Sequence, residues 1–273
     1  MEGTVITEDQ IDLLLADLLE RYGYDFTGYS RASLKRRIHR LYSLDKALSF
    51  AEFRFKIAND SLYFKRFVEQ ITVNVTEMFR DPAFFKTLRN EVLPKLGTYP
   101  LIRIWIAGCS TGEEAYSICI LLQELNLLHK SLVYATDLNP AVLEKAAQGM
   151  FGLSQMKQYS ENYILSGGSK DFSSYYTAKY SLAKFNDDLR RKIIFSTHNL
   201  VSDRSFNEFQ LIMCRNVLIY FDRDLQHKVI SLFDDSLEEL GYLALGSKET
   251  LEFSNVSKRY RRLPNEKIWR KMS

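Results

Sequence analysis

The chain has 273 residues, 46% of them apolar, enough for a packed core in one large domain or a small domain joined to a larger one. Its net charge of +3 is too small for wholesale nucleic-acid binding, and no stretch approaches the roughly 18–20 unbroken apolar residues of a membrane span. Met1-Glu2-Gly3 does not begin a secretion signal, and Cys109, Cys119 and Cys214 read as reduced, buried thiols of a cytoplasmic protein. His39, His129, His198 and His227 lack metal-ligand spacing, so no metal is expected.

Residues 1–75 read as an all-helical domain. Thr7 and Gln10 form a capping box, Ile6 can staple onto Ile11, and Ile11, Leu14, Leu15, Leu18 and Tyr22 give one apolar face ending at Gly23. A second helix is expected from about Ser30 to Tyr42, buried through Leu34, Ile38 and Leu41. Arg31, Lys35, Arg36, Arg37 and Arg40 make it basic. At helical spacing Arg36 and Arg40 point away from the apolar stripe, with Lys35 and Arg37 on its flanks. Ser49 and Glu52 cap a third helix, and a fourth runs from about Asp60 to the early 70s.

Residues 76–100 form a linker with a helix from Pro82 to about Leu93, closed off by Pro94, Gly97 and Pro100. From 101 to 273 strands and helices alternate. Strands are expected at Leu101–Ala107, Ser131–Thr136, Lys192–Ser196, Phe209–Cys214 and Gly241–Leu245, with helices from Gly112, Asn139 and Asp224, the last continuing to Leu240. This order implies a mostly parallel sheet covered on both faces, an α/β class. About 150–191 breaks the rhythm and reads as a small antiparallel insert on the edge of the main sheet. The tail, around Pro264-Asn265, reads as a hairpin.

The block Ala107-Gly108-Cys109-Ser110-Thr111-Gly112-Glu113-Glu114 follows the first strand and opens a helix. Small residues there let backbone approach a ligand, but the loop lacks the Gly-x-Gly-x-x-Gly spacing of dinucleotide sites and carries two acids that would repel pyrophosphate. A cationic ligand would accept them. S-adenosylmethionine, with an ammonium, a sulfonium and no phosphate, fits; the alternative is two glutamates steadying a helix start through its dipole. Asp137, after the second strand, stands where an acid binds ribose hydroxyls, or else serves as a helix-start residue.

Four separated stretches carry a family resemblance. Thr72-Val73-Asn74-Val75-Thr76-Glu77-Met78-Phe79-Arg80 resembles the T-x-N-x-T-x-F-F-R signature of the chemotaxis receptor methyltransferases, the CheR family. Trp105 to Ser117 resembles their W-x-A-x-C-S-T-G-E-E-x-Y-S block, Asn199-Leu200 their N-L pair, and Cys214-Arg215-Asn216-Val217-Leu218-Ile219-Tyr220-Phe221-Asp222 their C-R-N-V-x-I-Y-F-D run. The resemblance implies a class I Rossmann-like methyltransferase domain with a small antiparallel β-subdomain, preceded by an all-helical N-terminal domain. It implies contacts to S-adenosylmethionine from Asn74, Thr76, Arg80, Glu114, Asp137, Asn199, Leu200, Arg215 and Asn216, and favours Glu114 over Glu113 for the methionine amino group. It also implies that the basic helix, through Arg36, Arg37 and Arg40, docks on the cytoplasmic helical domain of methyl-accepting receptors, whose glutamates become methyl esters with S-adenosylhomocysteine as product. The enzyme is expected in the cytoplasm at receptor arrays, as a monomer without nucleic acid or membrane insertion.

Three departures stand out: Met78 replaces the first of the two phenylalanines, Gly246-Ser247-Lys248-Glu249 stands where the family shows G-H-S-E, and the glycine-containing insertion that binds a receptor pentapeptide has no clear equivalent between Tyr175 and Phe195.

A glutamate carboxylate is ionised at neutral pH, so transfer to it needs orientation rather than a general base. Arg80 and Tyr220 are the catalytic candidates for that orientation; Arg80 can instead bind the cofactor carboxylate, and Tyr220 can be a core aromatic. The basic helix can equally be a solvated face. An amine-methylating nucleic-acid enzyme would carry Asn/Asp-Pro-Pro-aromatic where Cys214-Arg215-Asn216-Val217 stands. A non-catalytic adaptor is disfavoured because Asn74, Arg80, Glu114, Asp137 and Tyr220 are all in place. The residual alternative is a methyltransferase acting on another protein or on nucleic acid.

Overall fold

The structure is a computed structural model that describes residues 6–72 and 74–272; Met1-Glu2-Gly3 and Val73 of the 72–80 motif lie outside them. Two compact units are present, one of Met1–Val73 with Ile219–Lys228, the other of Asn74–Leu218 with Val229–Ser273.

The first unit is helical: α1 (Glu8–Tyr22), α2 (Arg31–Asp45), α3 (Phe50–Asn59) and α4 (Ser61–Ile71). Thr7 and Gln10 form the capping box at α1, and Gly23 ends it in the left-handed region at φ 72°. Asp60 caps α4 by accepting from the Leu62 and Tyr63 amides. Phe53, Phe67, Ile11, Leu18 and Ile38 are fully buried between the helices, each worth about 1.5–3 kcal/mol. Helix α2 runs a turn beyond Tyr42, to Lys46 in the left-handed region. Residues 219–228 join this unit through Gly28 to Ser30: the Ser30 amide donates to the Tyr220 carbonyl at 2.8 Å, and the Asp222 amide to the Gly28 carbonyl at 2.9 Å.

The second unit begins with α5 (Pro82–Thr87), which continues through a widened π-helical turn at Leu88–Val92 into α6 (Leu93–Leu96). The helix therefore passes Pro94. A proline has no N–H for the carbonyl four residues back, and the wider turn just before it absorbs the mismatch.

Seven strands then build the main sheet: β1 (Ile102–Ala107), β2 (Ser131–Asp137), β6 (Ile193–Thr197), β7 (Phe209–Cys214), β8 (Leu237–Leu245), β9 (Tyr260–Arg262) and β10 (Ile268–Lys271), in the order β6-β2-β1-β7-β8-β10-β9. The first five are parallel; β10 is antiparallel to both β8 and β9. α7 (Glu113–Glu124), α8 (Pro140–Gln148) and α11 (Arg223–Ser236) connect strands. The β1 residues Ile104, Trp105 and Ile106 are buried, as expected of a central strand covered on both faces.

Two further features differ from the sequence expectation. Helix α11 stops at Ser236, because Leu237 pairs with Phe209 and starts β8 four residues early, across a bulge before Leu211–Tyr242. The insert does not extend the main sheet. It forms its own antiparallel sheet, β3 (Met150–Gly152), β4 (Tyr176–Lys179) and β5 (Leu182–Phe185), in the order β3-β5-β4, with α9 (Met156–Leu165) and the short α10 (Asp187–Arg190). The place beside β2 is taken by β6.

Candidate active site

Strand order reverses between β1 and β7, and in sheets of this kind ligands bind beyond the carboxyl ends of the strands at that point. The β1–α7 loop lies there. Gly108 (φ 78°), Ser110 (φ 51°) and Gly112 (φ 94°) are all left-handed, and a Cβ on Gly108 would lie 2.4 Å from Val217 Cγ2. The amides of Gly108 and Cys109 both donate to the Thr136 carbonyl, at 2.8 and 2.9 Å, pinning the loop to β2.

Asp137 ends β2 and shapes the same loop. Its two oxygens accept the Ser110 amide at 2.9 Å and the Asn139 amide at 3.0 Å, while Asn139 caps α8. Burial raises the Asp137 pKa and these amides pull it back down. A carboxylate offers about four acceptor sites, so capacity for ribose hydroxyls remains. Ser110 Oγ is buried without a hydrogen-bond partner among the described residues, an orphan beside the acid that a ligand can satisfy.

The two glutamates separate by environment. Glu113 turns inward, 4% exposed, accepting the Thr111 hydroxyl at 2.6 Å and the Tyr159 hydroxyl at 3.4 Å, and burial raises its pKa. Glu114 faces Arg215, whose Nη1 donates to its Oε2 at 2.7 Å. Oε1 carries no hydrogen bond among the described residues. The Arg215 side chain is 2% exposed; Nη2 also binds Asp81 Oδ2 at 2.7 Å and the Arg80 carbonyl at 3.0 Å, and the guanidinium lies 4.0 Å from the Phe84 ring centre. Two acids around one buried cation leave the cluster net negative, which suits a cationic ligand.

Arg80 sits between two strained residues, Phe79 at φ 53° and Asp81 at φ 60°, each costing about 1–3 kcal/mol outside glycine. Its Nη1 donates to the Val75 carbonyl at 3.1 Å, tying it to the segment of half-buried Asn74 and Thr76. At the end of β6, the His198 amide donates to the Asp137 carbonyl at 3.2 Å, setting Asn199 and buried Leu200 next to the end of β2. The Asn199 side chain accepts the Val201 amide, and its own amide binds Asp203. At the end of β7, Asn216 turns left-handed (φ 61°), and Glu249 Oε2 accepts both the Asn216 amide at 3.0 Å and the Gly246 amide at 2.6 Å.

The second unit thus carries Asn74, Thr76, Arg80, Glu114, Asp137, Asn199, Leu200, Arg215 and Asn216, the acids, the cation and the strand ends among them linked by the bonds above. Arg36, Arg37, Arg40 and Tyr220 belong to the first unit. There Arg36 and Arg40 are exposed, without an ion pair among the described residues, while Lys35 pairs with Glu8 at 2.5 Å.

Residues 74–267 match the family model described as "CheR methyltransferase, SAM binding domain", and residues 9–72 match "CheR methyltransferase, all-alpha domain". The chain belongs to the CheR methyltransferase family. A Pseudomonas putida protein carrying the name Cher3 is 46% identical over 97% of each chain. Proteins named chemotaxis protein methyltransferase are 33% identical in Listeria innocua, over 84% of this chain and 85% of that one, and 31% identical in Salmonella typhimurium, over 74% and 68%. The chain is therefore an S-adenosylmethionine-dependent CheR-type methyltransferase, an all-helical domain followed by an α/β methyltransferase fold with a small antiparallel sheet.

Within this CheR chain the sequence reading passed over Ser110, Asp81 and Glu249. Ser110 and Asp81 lie inside or directly after family motifs, and that adjacency is the signal that could have found them. Glu249 is the final residue of the stretch set aside for its missing histidine.

Proposed function

We propose that this enzyme methylates glutamate side chains of methyl-accepting chemotaxis receptors, giving glutamate methyl esters and S-adenosylhomocysteine, and so serves adaptation in chemotaxis. The observation that carries the reading is the acid-lined loop after β1, which lacks dinucleotide glycine spacing and holds Glu114 beside Asp137 at the end of β2, in a chain whose relatives are named chemotaxis protein methyltransferases.

Asp137 and the Asn199-Leu200 pair hold the nucleoside, Glu114 the methionine ammonium, and Asn74, Thr76, Arg215 and Asn216 complete the cradle. The fit is supported by the orphan Ser110 Oγ, the glycines at 108 and 112 and the net negative Glu114–Arg215–Asp81 cluster. When bound, S-adenosylmethionine supplies a methyl group on a positively charged sulfur. The receptor carboxylate, with a pKa of about 4.3, arrives ionised, so no side chain has to remove a proton. Arg80 and Tyr220 orient it, Arg80 by charge and Tyr220 by one hydroxyl hydrogen bond. A dry surrounding favours the step because both charges vanish on transfer.

The exposed Arg36 and Arg40, with Arg37, present cations to the acid-rich helices of the receptor. The setting is the cytoplasm, at receptor arrays, with the enzyme a monomer that binds neither nucleic acid nor the bilayer. No helix among the described residues is long and apolar enough to cross a membrane.

The test uses tritiated S-adenosylmethionine with a receptor cytoplasmic fragment or RNA. Label on the receptor released as methanol by base supports the proposal. Transfer to RNA, or a base-stable receptor product, rejects it.

A further inference from the structure

Helix α9 belongs to the insert, yet one of its side chains reaches the turn that carries Arg80. Asn162 is 6% exposed on a face otherwise buried through Met156, Tyr159 and Tyr163. Its Nδ2 donates to the Met78 carbonyl at 3.0 Å, and its Oδ1 accepts Gln158 Nε2 at 3.0 Å, which fixes the amide orientation. An apolar residue would fill that position without the penalty of burying an amide, so its polarity calls for a specific purpose. The next residue, Phe79, is left-handed; its amide donates to Ser117 Oγ at 3.0 Å and its ring is buried against Phe85, Tyr163 and Phe172. Beyond Arg80, left-handed Asp81 is held by Arg215. A turn strained on both sides of one arginine persists only where its surroundings over-determine it, and such strain collects at functional sites.

We infer that Asn162 is a positioning residue for Arg80: from the insert it holds the Met78 carbonyl and so fixes the strained turn that aims the guanidinium. This rests on the reading of Arg80 as a ligand-orienting group. The insert is thereby part of what shapes the site around Arg80, not an appendage to it.

The test compares the full chain with Arg80→Ala, Asn162→Asp and the double variant. The dissociation constant for S-adenosylhomocysteine, turnover on receptor fragment and melting temperature are measured for each. Asn162→Asp keeps the side-chain shape but turns an acceptor toward the Met78 carbonyl. It should weaken, by about tenfold, whichever of affinity or turnover Arg80→Ala lowers. The double variant should be no worse than Arg80→Ala alone, because the two changes act on one group. Losses that multiply, or an Asn162→Asp protein that changes only in melting temperature, overturn the inference. If Arg80→Ala itself alters neither affinity nor turnover, the reading of Arg80 fails and the inference falls with it, a result distinct from the previous two. Ser117→Ala, which removes the acceptor of the Phe79 amide, gives the same cycle from the opposite side of the turn should Asn162→Asp not fold.

Discussion

The guanidinium carbon of Arg37 lies 5.5 Å from the centre of the Tyr220 ring. The basic helix and the I-Y-F-D end of the C-R-N-V-x-I-Y-F-D run, far apart in sequence, thus meet side chain to side chain within the first unit. Burial lowers the Arg37 pKa, opposed by Tyr220, and the charge stays. A cation over an aromatic face at a partly exposed site is worth about 0.5–1 kcal/mol.

Tyr220→Phe keeps the ring, and with it the contact to Arg37, while removing the hydroxyl. Turnover on receptor should fall by about tenfold, the value of one hydrogen bond to a charged group, with S-adenosylhomocysteine affinity nearly unchanged. Calorimetry and ester-release kinetics separate the two quantities. An equal loss in both would reject the orienting role.

Arg36→Glu and Arg40→Glu reverse charges that are exposed and unpaired among the described residues. Receptor binding should weaken and lose much of its salt dependence, since both are set by the surface field. Cofactor affinity should hold. Variants whose receptor kinetics match the parent's at both low and high salt would return this face to simple solvation.

Glu114→Gln removes one acid from Arg215 and leaves Asp81 in place. S-adenosylhomocysteine should bind at least about tenfold more weakly, because its ammonium loses a charged partner. Arg215→Ala should be harsher and act on stability as well. It leaves Glu114, 13% exposed, without its cation, at a cost of about 3–5 kcal/mol in unfolding free energy. Similar melting curves for the two variants would count against the asymmetry.

Glu113→Gln should behave in the opposite way. Burial raises the Glu113 pKa above its ordinary 4.5, so the folded state holds that proton more tightly than the unfolded one. The cost of the buried charge is fully present above the raised folded pKa and disappears as pH falls below 4.5. The glutamine variant should therefore melt higher than the parent at neutral pH, by an amount that shrinks on acidification, with cofactor affinity retained. A variant less stable at neutral pH would mean that the Thr111 and Tyr159 hydroxyls require the carboxylate.

Local signals in the sequence were legible because their partners are close. The Thr7–Gln10 box, the Asn139 cap and the left-handed Gly23 each depend on residues within a turn or two. The end of α11 was not legible: Leu237 continues an apolar helical pattern, and only its pairing with Phe209 makes it strand. The site divided in the same way. Motif residues stood out through their resemblance to the family's signatures, while Asn162, Asp81 and Glu249 act on Met78, Arg215 and Asn216, contacts that exist only once the chain has folded.

Glu249 Oε2 bridges the amides of Gly246 and Asn216, while Ser247 and Lys248, just before Glu249, are exposed. The two bonds that hold the bend thus come from the buried end of this turn, not from its exposed side chains. A serine at 247, where the family shows histidine, therefore leaves untouched the carboxylate that holds the bend at Asn216.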